Sequence, residues 1–156
     1  MSKESLGLSG QVHMVLRDRY GFIKEERYGP NLVVTDGKEE VARLISSSSL
    51  SGDDFTHIAI GEGVTEPSIG QTALVTEITS AGGERVTGFV SLETTSVSND
   101  TCQFITTYTF TDSFSVTESG IFNDASAGDM LCRQTFTALS VSSADALTVT
   151  WKIRVG

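Results

Sequence analysis

At 156 residues, with 38% hydrophobic and 20% charged residues and only two prolines, the chain has the composition of one globular domain and the length to bury a single core. A balance of 11 Lys and Arg against 20 Asp and Glu leaves a formal net charge of -9, which repels phosphate backbones and anionic headgroups and argues against nucleic acid or a membrane surface as partner. No apolar run approaches the ~20 residues of a membrane-spanning helix, and the N-terminus lacks the apolar stretch of a secretory signal, so a protein made and used in soluble form is expected.

Residues 1–10 (MSKESLGLSG) are polar and without period, and read as a flexible N-terminal arm ahead of one domain spanning 11–156. QVHMVL at 11–16 and FIKEER at 22–27 favour strands, with turn residues from Asp18 to Gly21 between them, which predicts a β-hairpin. Gly29-Pro30 ends it, and 31–34 is a short apolar strand leading to a helix start. There Asp36 and Glu39 have the spacing of a capping pair, and Val41, Leu44 and Ile45 share a face, which predicts one short helix near 37–45, ended by SSSSLSG at 46–52.

FTHIAI at 55–60 is the next strand, closed by Gly61-Glu62-Gly63 and a loop through Pro67. Residues 72–78 fit neither the helical nor the strand period. Residues 84–93 and 101–111 are β-rich runs around the polar turn 96–100 and predict an antiparallel pair, with Cys102, Phe104, Tyr108 and Phe110 on one face. Shorter strands are expected at 113–116, 121–123 and 131–137, the last two joined by a turn containing Asn123-Asp124 and Gly128-Asp129.

The final segment carries the clearest pattern. Leu147, Val149, Trp151, Ile153 and Val155 alternate with Thr148, Thr150, Lys152 and Arg154, the period of a strand with one buried face, and this strand is expected at the sheet centre. Trp151, Val149 and Ile153, with Phe104, Phe110 and Phe122, are the expected core anchors. Eight or nine short strands and one helix predict an all-β fold, an antiparallel β-sandwich or jelly roll.

Chemistry-bearing residues are few. Gly61-Glu62-Gly63 lacks the third glycine and following lysine of a phosphate loop and reads as a tight turn whose glycines supply positive φ. His13 and His57 lie in strands with no ligand-spaced partners, no G-x-S-x-G elbow occurs, and Cys102 and Cys132 form no C-x-x-C pair. The cysteines read as buried small hydrophobes, with a single disulfide as the alternative. Glu77 and Glu118 stand in apolar surroundings, where a glycosidase pair or carboxylates accepting backbone N–H bonds are the two readings. No catalytic set, cofactor or metal is therefore expected.

Taken in order, NLVV with Gly37, HIAIGEG, Pro67, QTALVTE, TESGIF, MLCR and LTVTWKI resemble a family of small structural proteins of the tailed-bacteriophage virion, and similar blocks occur at the N-terminal ends of some phage tail-fibre proteins. The family pattern has Ala where Ser119 stands, and an Arg soon after the Glu77 position that is missing here. The resemblance implies a non-enzymatic decoration, or cement, protein on the capsid exterior, bound to the major capsid protein and self-associated as a homotrimer. A tail-fibre attachment or baseplate component bound to a tail protein, and a host-glycan-binding module using an exposed Tyr20 or Tyr28, are the alternatives.

Overall fold

A computed structural model describes residues 7–45 and 54–156. The chain runs through β1 (Leu8–Arg17), β2 (Ile23–Pro30), β3 (Leu32–Val33), α1 (Thr35–Ile45), β4 (His57–Gly61), β5 (Val86–Thr87), β6 (Phe89–Glu93), β7 (Thr101–Thr109), β8 (Phe114–Phe122), β9 (Met130–Val141) and β10 (Ala146–Val155). The strands form two antiparallel five-stranded sheets, ordered β2-β1-β10-β7-β6 and β3-β9-β8-β4-β5, packed as a β-sandwich. None of the helices among the described residues is long and apolar enough to cross a membrane.

Period-two alternation puts β10 in the middle of the first sheet, with Leu147, Val149, Trp151 and Ile153 turned inward. Val155 leaves the stripe and is partly exposed at the strand's end. Val12, Met14 and Leu16 of β1 join from one side, and Phe104, Tyr108 and Phe110 from the other. Burial of each such side chain contributes roughly 1.5–3 kcal/mol, but area alone does not choose how two apolar faces align. Two polar atoms do: the Trp151 indole Nε1 donates to Ser119 Oγ at 3.1 Å, and the Tyr108 hydroxyl donates to Ile58 O at 2.7 Å, each bond crossing from one sheet to the other. Ser119 Oγ in turn donates to Ala59 O at 2.8 Å, so this hydroxyl both accepts and donates.

One long side is closed by polar groups. Glu25 accepts from Ser140 N at 3.1 Å, Arg27 donates to the carbonyls of Thr137 and Ala138 where the β8–β9 register slips, and Lys24 reaches Asp145 at 2.5 Å. At one end of the first sheet Asp100 caps the β6–β7 turn. Bonds from the Val97, Thr95 and Ser96 amides hold its carboxyl well below the usual range, so this cap is complete above the ordinary Asp value and is lost as pH falls through the lowered one.

Several expectations are corrected by pairing. Leu8 to Gly10 belong to β1, because the β1–β10 ladder continues to Leu8 opposite Val155; residues 1–6 of the expected arm lie outside the described residues. The helix begins at Thr35, since Val34 is tied through its N–H to Leu131 O and its own carbonyl accepts from Lys38. Asp36 therefore sits in the first turn, near the positive end of the helix, and Asp36 and Glu39 are not the capping pair. Val41 packs on the core while Leu44 is partly exposed, and the expected helix end at 46–52 lies outside the described residues.

The run 84–93 divides at Gly88, so β5 pairs with β4 in one sheet and only β6 pairs with β7 in the other. The two short strands expected at 113–116 and 121–123 are one strand, β8. Its polar middle, Thr117-Glu118-Ser119, hides a continuous strand because each of these groups is buried against a partner. Phe122 is buried but belongs to a second, smaller cluster with Val34, Ala59, Leu74 and Met130, apart from the core around Trp151.

Truncating Trp151→Ala is expected to lower stability by roughly 3–5 kcal/mol, and Ser119→Ala by about 1–3 kcal/mol because the indole N–H then stays buried without a partner. Urea melts followed by far-UV circular dichroism measure both.

Candidate functional site

Beyond β4 the chain leaves the sheet and returns only at β5, and this strap (residues 62–85) lies over the outer side of β4 and β8. It is tied at its roots by Glu62 N to Thr76 O at 2.8 Å and Ile78 N to Ile60 O at 3.0 Å, with a bridge between Gly61 and Glu77. Leu74 from the strap completes the small cluster with Ala59, Phe122 and Met130. Residues 72–78 show no period because isolated backbone bonds at Thr76 and Ile78 and the Glu118 side chain hold them, with no continuous ladder.

The central holder is Glu118. Its Oε1 accepts from Gly63 N at 3.0 Å and Thr76 N at 2.7 Å, and its Oε2 from Val75 N at 3.1 Å. Arg133, on the neighbouring strand, adds Nε at 2.9 Å and Nη2 at 2.7 Å to Oε2. Its Nη1 donates to Gln71 Oε1 at 3.0 Å, and the same oxygen accepts from Ser68 N at 2.9 Å. Both charged side chains are 0% exposed. Removing two ions from water costs several kcal/mol each, and this is offset by their mutual contact, by the three amides on the carboxylate and by Gln71 on the guanidinium, while Arg133 Nη2 has the ion-pair contact alone.

Gly61 and Gly63 are explained here and not by turn geometry, for neither has positive φ. A methyl group at either would collide with the Glu118 carboxylate, so the glycines are needed for close approach.

Glu77 is held separately. Arg85 grips it with Nε at 2.9 Å and Nη2 at 2.7 Å, a two-point contact, and uses Nη1 to bind the carbonyls of Asp124 at 2.9 Å and Ala127 at 2.7 Å. The same guanidinium carbon lies 3.6 Å from the Phe122 ring centroid. Arg85 thus ties Glu77 to the β8–β9 turn.

These contacts define what the carboxylates can do. An acid or base catalyst needs a lone pair or proton that a substrate can reach, and Glu118, 0% exposed, offers none, while Glu77 keeps partial exposure beside Arg85. His13 lies on the first sheet, 2.6 Å from Glu26 and edge-on to Tyr28, whereas His57 lies on the second between the Thr56 and Thr87 hydroxyls at 3.0 and 3.2 Å. Among the described residues no three His, Cys, Asp or Glu side chains gather as a metal site. Cys102 and Cys132 are both free, and burial pushes the Cys132 thiol up to about 12. Arg133, Gln71 and Arg85 are missing from the sequence-based candidates. The available signal was an arginine inside an apolar strand sequence, MLCR, which calls for a buried acid.

The outside carries apolar residues in separate places: Tyr20, Phe22 and Ile23 at the β1–β2 turn, Val64, Ile69 and Val75 on the strap, and Phe89, Val90 and Leu92 on β6. The chain matches no protein-family model, no curated protein and no solved structure.

Replacing one member of the buried pair, as Glu118→Gln or Arg133→Met, is expected to cost roughly 3–5 kcal/mol, with faster hydrogen exchange at the Gly63, Val75 and Thr76 amides. Cys132 should resist iodoacetamide at neutral pH in the folded chain and react once urea unfolds it, as peptide mass mapping would report.

Proposed function

We propose that the chain is a non-enzymatic structural component of a tailed-bacteriophage virion that decorates the outer surface of the head by binding the major capsid protein. One observation carries this reading. The blocks HIAIGEG, QTALVTE, TESGIF and MLCR, on which the resemblance rests, are scattered over 77 positions (residues 57–133), yet they contribute Gly63, Gln71, Val75, Thr76, Glu118 and Arg133 to the same buried clasp.

The chemistry is compatible with a load-carrying role. Charged groups that could act on a substrate are engaged in holding the strap, while aromatic side chains stand free at the β1–β2 turn, where Tyr20 is 77% and Phe22 72% exposed. Exposed aromatic anchors of this kind dominate binding energy in protein interfaces. The net charge of -9 keeps a covered particle dispersed.

Electron cryo-microscopy of intact particles is expected to place this chain over the whole shell at repeated capsid positions. Density confined to one vertex would select tail attachment instead, and absence from purified virions would remove the reading altogether. Phe22→Asp is expected to weaken binding to undecorated heads at least ~10-fold without changing the melt of the isolated chain.

A further inference from the structure

The four sheet edges differ in what blunts them. β3 and β5 are two residues long, and β2 carries Lys24, Glu25, Glu26 and Arg27, ends at Pro30 and is braced across the sandwich to β9. Short strands, charges and proline are the usual protection of an open edge. β6 has none of them along Phe89-Val90-Ser91-Leu92, and it runs in unbroken register with β7. Phe89 is 71%, Val90 38% and Leu92 63% exposed beside a row of backbone groups with no partner on that side among the described residues.

We propose that the free edge of β6 pairs with β6 of a second copy of this chain, antiparallel about a two-fold axis through Ser91. The strand is suited to itself. In this register Val90 meets Leu92 of the second copy on the inward face and Phe89 meets Glu93 on the outward face, so the two acidic residues are kept apart. Each Glu93 is already neutralised by Lys152 at 2.5 Å, which removes the local repulsion that two acidic chains would otherwise bring to the contact. Val90 also lines an apolar groove of about 410 Å³ with Leu44, Phe55 and Val155, and the second copy's Leu92 arrives at its mouth. The axis stands perpendicular to the sheet, so the two first sheets become one, with their core faces on the same side. A five-residue edge covers less than the ~1,600 Å² of a standard interface, so the dimer forms reversibly and with concentration. This contact is two-fold, unlike the trimer that the family resemblance implies.

Sedimentation velocity of the full chain over a range of concentrations is expected to show a monomer–dimer equilibrium. Leu92→Lys, on a side chain already facing solvent, should weaken it at least ~100-fold because each dimer loses two apolar contacts, with an unchanged melting curve. Register is tested in a Cys102→Ser background. Ser91→Cys should form an intermolecular disulfide under mild oxidation, since residues facing across such an axis have Cα atoms roughly 4.5–5.5 Å apart, whereas Val97→Cys on the adjacent turn should cross-link far more slowly. A monomer at every concentration, a trimer, a dimer indifferent to Leu92→Lys, or equal cross-linking of the two cysteine variants would each overturn the proposal. Head binding is scored separately, so a monomer that still coats particles sinks this contact and leaves the virion reading standing.

Discussion

Two buried ions, Glu118 and Arg133, set the terms for the second sheet. A carboxylate and a guanidinium that are both 0% exposed are destabilising unless their remaining valences are filled, and the groups that fill them here come from the strap: the amides of Gly63, Val75 and Thr76 and the side chain of Gln71. The strap can approach so closely only because Gly61 and Gly63 have no side chains. Its arrival then buries Leu74 against Phe122 and Met130, which is why β8 is covered on both faces although only one looks into the sandwich. Charge, glycine and apolar burial are therefore one cooperative unit, and loss of either ion leaves the other without water or partner.

The rest of the sandwich follows a similar division between bulk and specificity. Apolar stripes bring the sheets together, but the two bonds from Trp151 and Tyr108 select one alignment because each buried donor has a single acceptor within reach. The margins are treated unequally. Charged side chains of β2 bridge to β9 and close that side, while β6 presents Phe89, Val90 and Leu92 to solvent. That asymmetry, together with free aromatics at the β1–β2 turn, is the physical content of reading the chain as a component that attaches to something larger.

Much of the architecture is legible in the order of residues. The β1–β2 hairpin, the helix α1, the turn at residues 96–100 and the buried face of β10 all follow from local alternation and turn chemistry, because in each case the signal lies in residues adjacent in sequence. Failures occur where burial is bought with a distant partner. The polar triplet Thr117-Glu118-Ser119 looks like a break in a strand, yet it is buried throughout, for its partners are Gly63, Arg133 and Trp151. Gly61 and Gly63 look like turn residues and are spacers for a carboxylate more than fifty positions away.

Composition and periodicity, then, determined the class: one all-β domain, acidic, with its strongest stripe at the C-terminal strand. They could do so because a period of two and a balance of charge are properties of neighbouring residues and of sums. Which sheet each strand joins, that residues 84–93 divide between two sheets, which face Phe122 occupies and which arginine answers Glu118 and which Glu77 were decided only by the tertiary structure. These are matters of contact between residues far apart along the chain, and a contact of that kind leaves no periodic trace in either of the segments that make it.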